Sequence, residues 1–192
     1  MLKKRLYLFA ILCVEILGVV FVLSSCSDDS QAEDGHNYIT NAFESMKATY
    51  EGTATMNDNS SRQTVDFTID KQANVVVRNF PIELVLQKVY PNDYQNIQGE
   101  TEGLGYTAAI DSVGVPSTSV LTWKAKDQDV VFNFKKDGTS HKMTLTLVTS
   151  GYYELTRSLL SLQMGVADLI VDNEDLTRFL PITFTVDAAG KK

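Results

Sequence analysis

Cysteine is almost absent from the chain. Only Cys13 and Cys26 occur among 192 residues, and both lie near the N-terminus. Residues 27–192 therefore contain no thiol. This excludes disulfide bonds, cysteine-ligated zinc and a cysteine nucleophile from that part of the chain.

Histidine is equally scarce, since His36 and His141 are the only two in the sequence. They leave little material for a histidine-ligated zinc ion or for a Ser-His-Asp triad. No glycine-rich phosphate loop follows a predicted strand. The sequence therefore predicts neither a metal ion nor another cofactor.

Positive charge is low beyond the first 25 residues. Three of the 17 lysines and arginines and one of the 24 aspartates and glutamates lie in residues 1–25. Residues 26–192 thus hold 14 basic against 23 acidic residues, a net charge of −9. Such a surface repels phosphate backbones, which argues against nucleic acid as a partner.

Carboxylates are plentiful, but their spacing indicates no defined site. Asp127-Gln128-Asp129 and Asp172-Asn173-Glu174-Asp175 lack the alternating ligands and distal glutamate of an EF-hand loop. We interpret both as turn residues. Two acids from distant strands could converge for glycoside hydrolysis, yet no pair stands out. We predict no catalytic residue and no enzyme, and keep a carboxylate-based hydrolase as an alternative.

The first 25 residues have the pattern of an export leader. Residues 1–5 are basic, and residues 6–23 are apolar apart from Glu15 and Gly18. The sequence Leu23-Ser24-Ser25-Cys26 that follows resembles the lipobox of bacterial lipoproteins. The resemblance implies cleavage before Cys26 and lipidation of its thiol, which would fix the chain to a membrane. A retained anchor helix and plain secretion are the alternatives.

Residues 26–36 form an acidic, polar segment that we predict to be a flexible tether. Within it, Ser27-Asp28-Asp29-Ser30 resembles the signal that exports lipoproteins of Bacteroidetes to the outer cell face. The resemblance implies an outer-membrane lipoprotein displayed on the cell surface, with Asp28 and Asp29 as export residues. The alternatives are a solvated tether without a signal and a position on the periplasmic face.

Residues 37–192 are predicted to form one β-rich domain, because apolar and polar residues alternate along most of it. Asp137-Gly138 is a type I′ hairpin signal. Eight or nine strands linked by short turns are typical of an all-β, mainly antiparallel barrel or sandwich. The clearest alternating segments are 50–56, 64–70, 73–77, 121–125, 130–135, 142–148, 160–166 and 182–186.

Two segments have a helical period instead. Apolar residues at spacings of four, three and four over 39–50 predict a short N-terminal helix that Gly52 stops. Residues 80–90 carry apolar positions at i, i+3, i+4 and i+7 and predict an inserted helix, with Asn79 as its cap and Pro91 beyond its end.

Short motifs connect this domain with a family. The opening Tyr50-x-Gly52 and the junction Asn79-Phe80-Pro81 resemble uncharacterised Bacteroidetes lipoproteins, some of them lipocalin- or calycin-like barrels. The resemblance covers residues 36–190 and implies a calycin-like fold but no activity. Ala54 stands where the Gly-x-Trp motif of lipocalins has tryptophan, which is a departure from that family.

Four residues are candidates for binding or modification. Trp123, the single tryptophan, and the small Ala54 lie on predicted inward faces and could border a ligand pocket. Tyr94 lies in the long aperiodic stretch 92–103, a possible lid. Asp111-Ser112-Val113 resembles the O-glycosylation acceptor pattern of Bacteroidetes, with Ser112 as the acceptor.

Three functions follow from these features. The first is a non-catalytic binding module for a small apolar or glycan-like ligand or for a partner protein. The second is a structural or accessory lipoprotein whose barrel is filled by its own side chains. The third is the hydrolase named above.

Overall fold

Strands make up most of the described chain. The computed structural model describes residues 39–56, 62–99, 101 and 103–191, with side chains to residue 188. Within these ranges, 39–46 is helical (α1) and Ile82–Val89 forms helix α2. Two 3-10 turns cover Tyr94–Asn96 and Thr177–Phe179. The strands are β1 Thr49–Met56, β2 Arg62–Ile69, β3 Asn74–Val77, β4 Gln98–Gly99, β5 Tyr106–Ser117, β6 Val120–Ala125, β7 Gln128–Lys136, β8 Thr139–Glu154, β9 Leu159–Val171, β10 Glu174–Asp175 and β11 Ile182–Lys191.

Eight of these strands close into a barrel. They follow the order β1, β2, β3, β5, β6, β8, β9 and β11, and β11 pairs with β1. Every pairing in the ring is antiparallel. The prediction of an all-β, mainly antiparallel barrel or sandwich with two short helices is therefore confirmed, and of the two architectures the chain forms the barrel.

Strands β8 and β9 are longer than the barrel and continue into a second layer. Residues 150–154 of β8 pair with β6 inside the ring, whereas residues 139–147 pair with β7. Beyond Val166, β9 leaves β11 and reaches β10. The resulting open layer has the order β4, β7, β8, β9 and β10, and we call it the distal sheet.

The barrel interior is packed by its own side chains. Phe80 is fully buried, and its ring centroid lies 5.8 Å from that of Phe184 and 6.3 Å from that of Tyr106. The Tyr106 hydroxyl is 2.8 Å from the buried Thr149 hydroxyl, so this polar pair is satisfied internally. Large side chains therefore occupy the middle of the ring.

Small residues on the barrel wall are matched by large neighbours. A Cβ on Gly52 would lie 2.5 Å from Cγ1 of Val186, and a Cβ on Gly151 would lie 2.5 Å from Cζ2 of Trp123. Contacts that short cannot form, so a neighbouring side chain fills the space at each glycine. These two positions do not leave a pocket in the wall.

Helix α2 joins the barrel to the distal sheet. Five of its eight residues are buried, which is typical of a helix enclosed on most sides. Phe80 precedes it inside the barrel, and Tyr90 follows it, with its ring 5.9 Å from that of Phe134 on β7. The inserted helix predicted from the sequence is thus present.

Some details of the helix predictions are wrong. Pro81, not Asn79, occupies the N-cap of α2, where no side chain caps the helix. The Asn79 amide instead donates to the Asp66 carboxylate at 3.4 Å. Helix α1 ends at residue 46, and Gly52 lies within β1. Ile39, expected on the buried face, is 40% exposed.

The residue types at two turns suit the positive φ angles found there. Asp137 and Gly138 have φ angles of 53° and 77°, as the type I′ hairpin requires. Asp172 and Asn173, between β9 and β10, have φ angles of 49° and 73°. Aspartate and asparagine tolerate this conformation better than other residues with a Cβ. Within the described ranges, neither helix has the length and apolarity needed to cross a membrane.

Candidate functional site

A cluster of polar side chains lies at the end of the distal sheet. Two cavities of about 500 and 260 Å³ meet there, and His141 and Asp172 line both of them. We call the two cavities together the His141 groove. The volume of the larger cavity is within the range of ordinary ligand clefts, and the volume of the smaller one is just below that range.

His141 and Asp172 form a close pair. Nδ1 of His141 lies 2.6 Å from Oδ2 of Asp172, and the backbone N–H of Lys142 donates to Oδ1 at 2.8 Å. An ionised carboxylate only accepts hydrogen bonds, so the imidazole proton sits on Nδ1. The imidazole also stacks on the Phe134 ring at 5.2 Å. The ring is thus held in one orientation.

The strands explain why these residues meet. His141 is paired with Phe134 across the β7–β8 hairpin, so both side chains are on the inner face of the distal sheet. The turn after β9 brings Asp172 alongside Lys142, and the Asp172 N–H donates to the Lys142 carbonyl at 3.0 Å. Thirty-one positions of sequence separate the two partners of the pair.

The smaller cavity has aromatic and charged walls. Tyr90, at the end of α2, and Phe179 are half-buried rings. Arg178 lies over the Phe179 ring at 4.9 Å and pairs with Glu174 at 3.1 Å. Burial raises the pKa of the Tyr90 hydroxyl above its ordinary value, so it stays a neutral hydrogen-bonding group at physiological pH.

The larger cavity is bordered by Phe134 and His141 of the inner face and by side chains of the opposite, outer face of the same strands. Its walls include Asn133 and Lys135 of β7, Ser140 and Lys142 of β8, and Gln98 of β4. All five are exposed. This face is polar, whereas the inner face is mainly apolar.

The residues predicted from the sequence lie elsewhere. Trp123 is only 3% exposed on β6, and its Nε1 has no hydrogen-bond partner among the described residues. Ala54 is fully buried on β1. Tyr94 lies in a 3-10 turn and accepts a hydrogen bond from Gln95 at 3.2 Å. None of the three lines either cavity, and the structure does not bring them together.

The other predicted positions have different outcomes. Ser112 is exposed on β5, opposite Lys124, so its hydroxyl is accessible. The lipobox residues Leu23, Ser24, Ser25 and Cys26, and the export residues Asp28 and Asp29, lie outside the described residues. The stretch proposed as a lid contains β4, which pairs with β7 and thereby forms the edge of the distal sheet.

The His141 groove was not predicted from the sequence. His141 has no evident partner along the chain, and Asp172-Asn173 was interpreted as a turn, which the structure confirms. One signal was available: His141 continues the inward alternation of Met143 and Leu145, so it had to point toward the packed face. Within the described ranges, no group of three or more His, Cys, Asp or Glu side chains is arranged to hold a metal ion.

The hydrogen bonds to Asp172 predict a pH dependence. The Lys142 N–H, and then the His141 imidazole, hold the pKa of the Asp172 carboxyl below its ordinary value, which is about 3.9 in an unfolded chain. The carboxylate therefore contributes stability above about pH 4, and the contribution is lost as the pH falls through the folded pKa. We expect the urea midpoint to fall less steeply between about pH 5 and pH 2 in Asp172→Asn than in the wild type.

A matched variant controls this measurement. Asp127 is exposed, and its carboxylate forms no hydrogen bond with the described residues. Asp127→Asn should keep the wild-type slope. If the urea midpoint falls equally steeply with pH in wild type and in Asp172→Asn, the two donors do not lower the pKa of the Asp172 carboxyl.

Comparison with known proteins assigns no function to the His141 groove. No protein-family model matches the chain, and no curated protein and no solved structure matches it.

Proposed function

We propose that the chain is a non-catalytic binding module that holds a glycan-like ligand in the His141 groove and is fixed to a membrane through lipid on Cys26. The anchor rests on Leu23-Ser24-Ser25-Cys26, and the outer membrane with display on the cell surface rests on Asp28 and Asp29. A position on the periplasmic face is the alternative location.

One observation carries the binding role: the groove combines flat rings with hydrogen-bonding groups. Tyr90 and Phe179 offer half-exposed aromatic surface, and His141, Glu174 and Arg178 offer donors and acceptors beside it. A sugar ring has apolar C–H faces and a rim of hydroxyl groups, so it needs both kinds of contact. Ligand sites commonly pair an aromatic lining with a few placed polar groups.

The packing of the barrel gives no support to an apolar ligand inside the ring. Phe80 occupies its interior, and Val186 and Trp123 fill the space beside two glycines. The same packing favours the second candidate, an accessory lipoprotein with a filled barrel. The two candidates differ in whether the groove is occupied by a ligand.

The chemistry of the pair supports a role without catalysis. An Asp–His pair that activates a nucleophile of the protein has a hydroxyl or thiol group within hydrogen-bonding reach of the imidazole. Among the described residues, no such group hydrogen-bonds to His141. In our proposal the pair supplies an oriented imidazole for binding.

The test is a titration of the detergent-solubilised full chain with a panel of neutral and acidic oligosaccharides by calorimetry. At least one should bind, and Phe179→Ala should weaken that binding by about tenfold through loss of ring contact. Phe43→Ala is the matched control, because Phe43 is a partly buried ring on α1 and lines neither cavity.

The possible outcomes separate the candidates. If no oligosaccharide binds the wild type, the glycan-binding function is wrong and the accessory lipoprotein remains. If binding is equal in wild type and Phe179→Ala, the ligand does not use this groove.

A further inference from the structure

The outer face of the distal sheet carries two lysines on neighbouring positions. Lys135 is opposite Ser140, and Lys142 is opposite Asn133, so the two lysines are diagonal neighbours on adjacent strands. Diagonal positions on a sheet are about 7–8 Å apart at Cα, within the reach of long side chains. Both lysines line the larger cavity, so two like charges lie on neighbouring positions there.

No acid of the described chain neutralises this pair. Neither ammonium group forms an ion pair with a described residue. The carboxylate that lines the cavity, Asp172, is engaged by His141 and by the Lys142 N–H. Acids outnumber bases 23 to 14 in residues 26–192.

Neutral hydrogen-bonding groups surround the lysines. Gln98 is opposite Lys135 on β4, and Asn133 and Ser140 lie on the same exposed face. The amides and the hydroxyl can donate and accept, as sugar hydroxyl groups require. The cavity of about 500 Å³ is large enough for a ligand with several such groups.

We propose that this face binds an acidic unit of the glycan, a carboxylate- or sulfate-bearing sugar, with Lys135 and Lys142 holding the anion. This inference rests on the proposed glycan-binding function and adds the charge of the ligand. The ammonium group of lysine is a compact positive charge with three hydrogen-bond donors. It can therefore bind either a carboxylate or a sulfate ester. An anion between the two ammonium groups also removes their mutual repulsion.

A membrane surface is the competing source of anions. Segments that bind anionic lipid usually cluster about 4–8 lysines and arginines. The cavity has two, set in a concave face among neutral amides, a hydroxyl and the His141–Asp172 pair. These features favour a discrete sugar over a lipid surface.

The experiment compares matched oligosaccharides on the detergent-solubilised full chain. The probes are oligogalacturonate for a carboxylate alone, a sulfated chondroitin oligosaccharide for a sulfate ester beside a carboxylate, and a maltooligosaccharide of equal length as the neutral reference. We expect one acidic probe to bind about tenfold more tightly than the neutral one. This preference should shrink as salt is raised.

Lysine substitutions locate the anion. Lys135→Gln and Lys142→Gln should each reduce the affinity for the acidic probe by about five- to tenfold and leave the neutral probe unchanged. Lys126→Gln is the matched control, because Lys126 is exposed, forms no ion pair with a described residue and lines neither cavity. All three variants remove the same net charge, so a general charge effect would appear equally in each.

Each outcome has a separate meaning. Equal affinity for acidic and neutral probes, unchanged in the lysine variants, would overturn the acidic-sugar proposal and leave glycan binding standing. Failure of every probe would overturn both. If vesicles containing anionic phospholipid bind the wild type, lose binding in Lys135→Gln and Lys142→Gln, and no sugar competes, the face binds membrane and the proposal is wrong.

Discussion

An alanine in place of Phe80 is expected to lower the free energy of unfolding by about 3–5 kcal/mol, the usual cost of removing a buried phenyl ring. Phe80 is fully buried between Phe184 and Tyr106, and it precedes a helix enclosed on most sides. Neighbouring strands are tied into a closed ring and cannot collapse far into the cavity. Urea unfolding followed by circular dichroism measures the change.

The control is Phe179→Ala, which removes the same ring from a half-buried surface position. It should cost about 1 kcal/mol or less, since surface substitutions rarely exceed that range. The cavity left by Phe80→Ala is apolar, so a small probe such as benzene should stabilise this variant and leave the wild type unchanged. A loss below about 1 kcal/mol for Phe80→Ala would mean that the interior is loosely packed, which would revive the apolar-ligand hypothesis.

The barrel could be predicted because each of its clear strands is buried on one face only. Residues such as Val65, Phe67 and Ile69 alternate with polar neighbours, and this period is visible in the sequence. Helix α2 was visible for the same kind of reason, since its apolar residues follow a helical period. Its cap was not, because Asn79 has a competing acceptor, Asp66, on a distant strand.

Strand β5 could not be predicted. Its second half is exposed on both faces, and Val113 and Val115 are 40% and 37% exposed there. Without a buried face, apolar and polar residues need not alternate, so the period of two disappears. The register also shifts between Ile110 and Ser112, which breaks the alternation further.

The distal sheet and its groove could not be predicted from the sequence for a different reason. Alternation of apolar and polar residues shows that a strand has an inward face. It does not show where a strand extends beyond the barrel. That boundary depends on which partner each half of β8 takes, β7 or β6. The pairing of His141 with Asp172 follows from this choice, so it could be found only once strand pairing was known.

The filled barrel and the exposed groove together suggest a division of roles within the chain. In our proposal, the ring provides a support, and the layer formed by the extensions of β8 and β9 provides the surface for recognition. A binding face that lies outside the barrel must be exposed in the compartment that contains its ligand. In our proposal the lipid on Cys26 and the acidic segment 26–36 provide that exposure.

Replacement of Cys26 by alanine is expected to abolish membrane anchoring altogether. In lipoproteins the thiol at this position carries the acyl chains, and each buried methylene contributes about 0.8 kcal/mol to membrane binding, so loss of several chains leaves nothing of comparable strength. The variant should accumulate as a heavier, uncleaved precursor without lipid, detected by mass spectrometry of the purified protein. Cys13→Ala is the matched control: it removes the other cysteine from within the leader and should leave cleavage and lipidation intact. If the wild-type protein begins at any residue other than an acylated Cys26, or if Cys26→Ala is processed like the wild type, the lipid anchor is wrong and the groove must reach its ligand by another route.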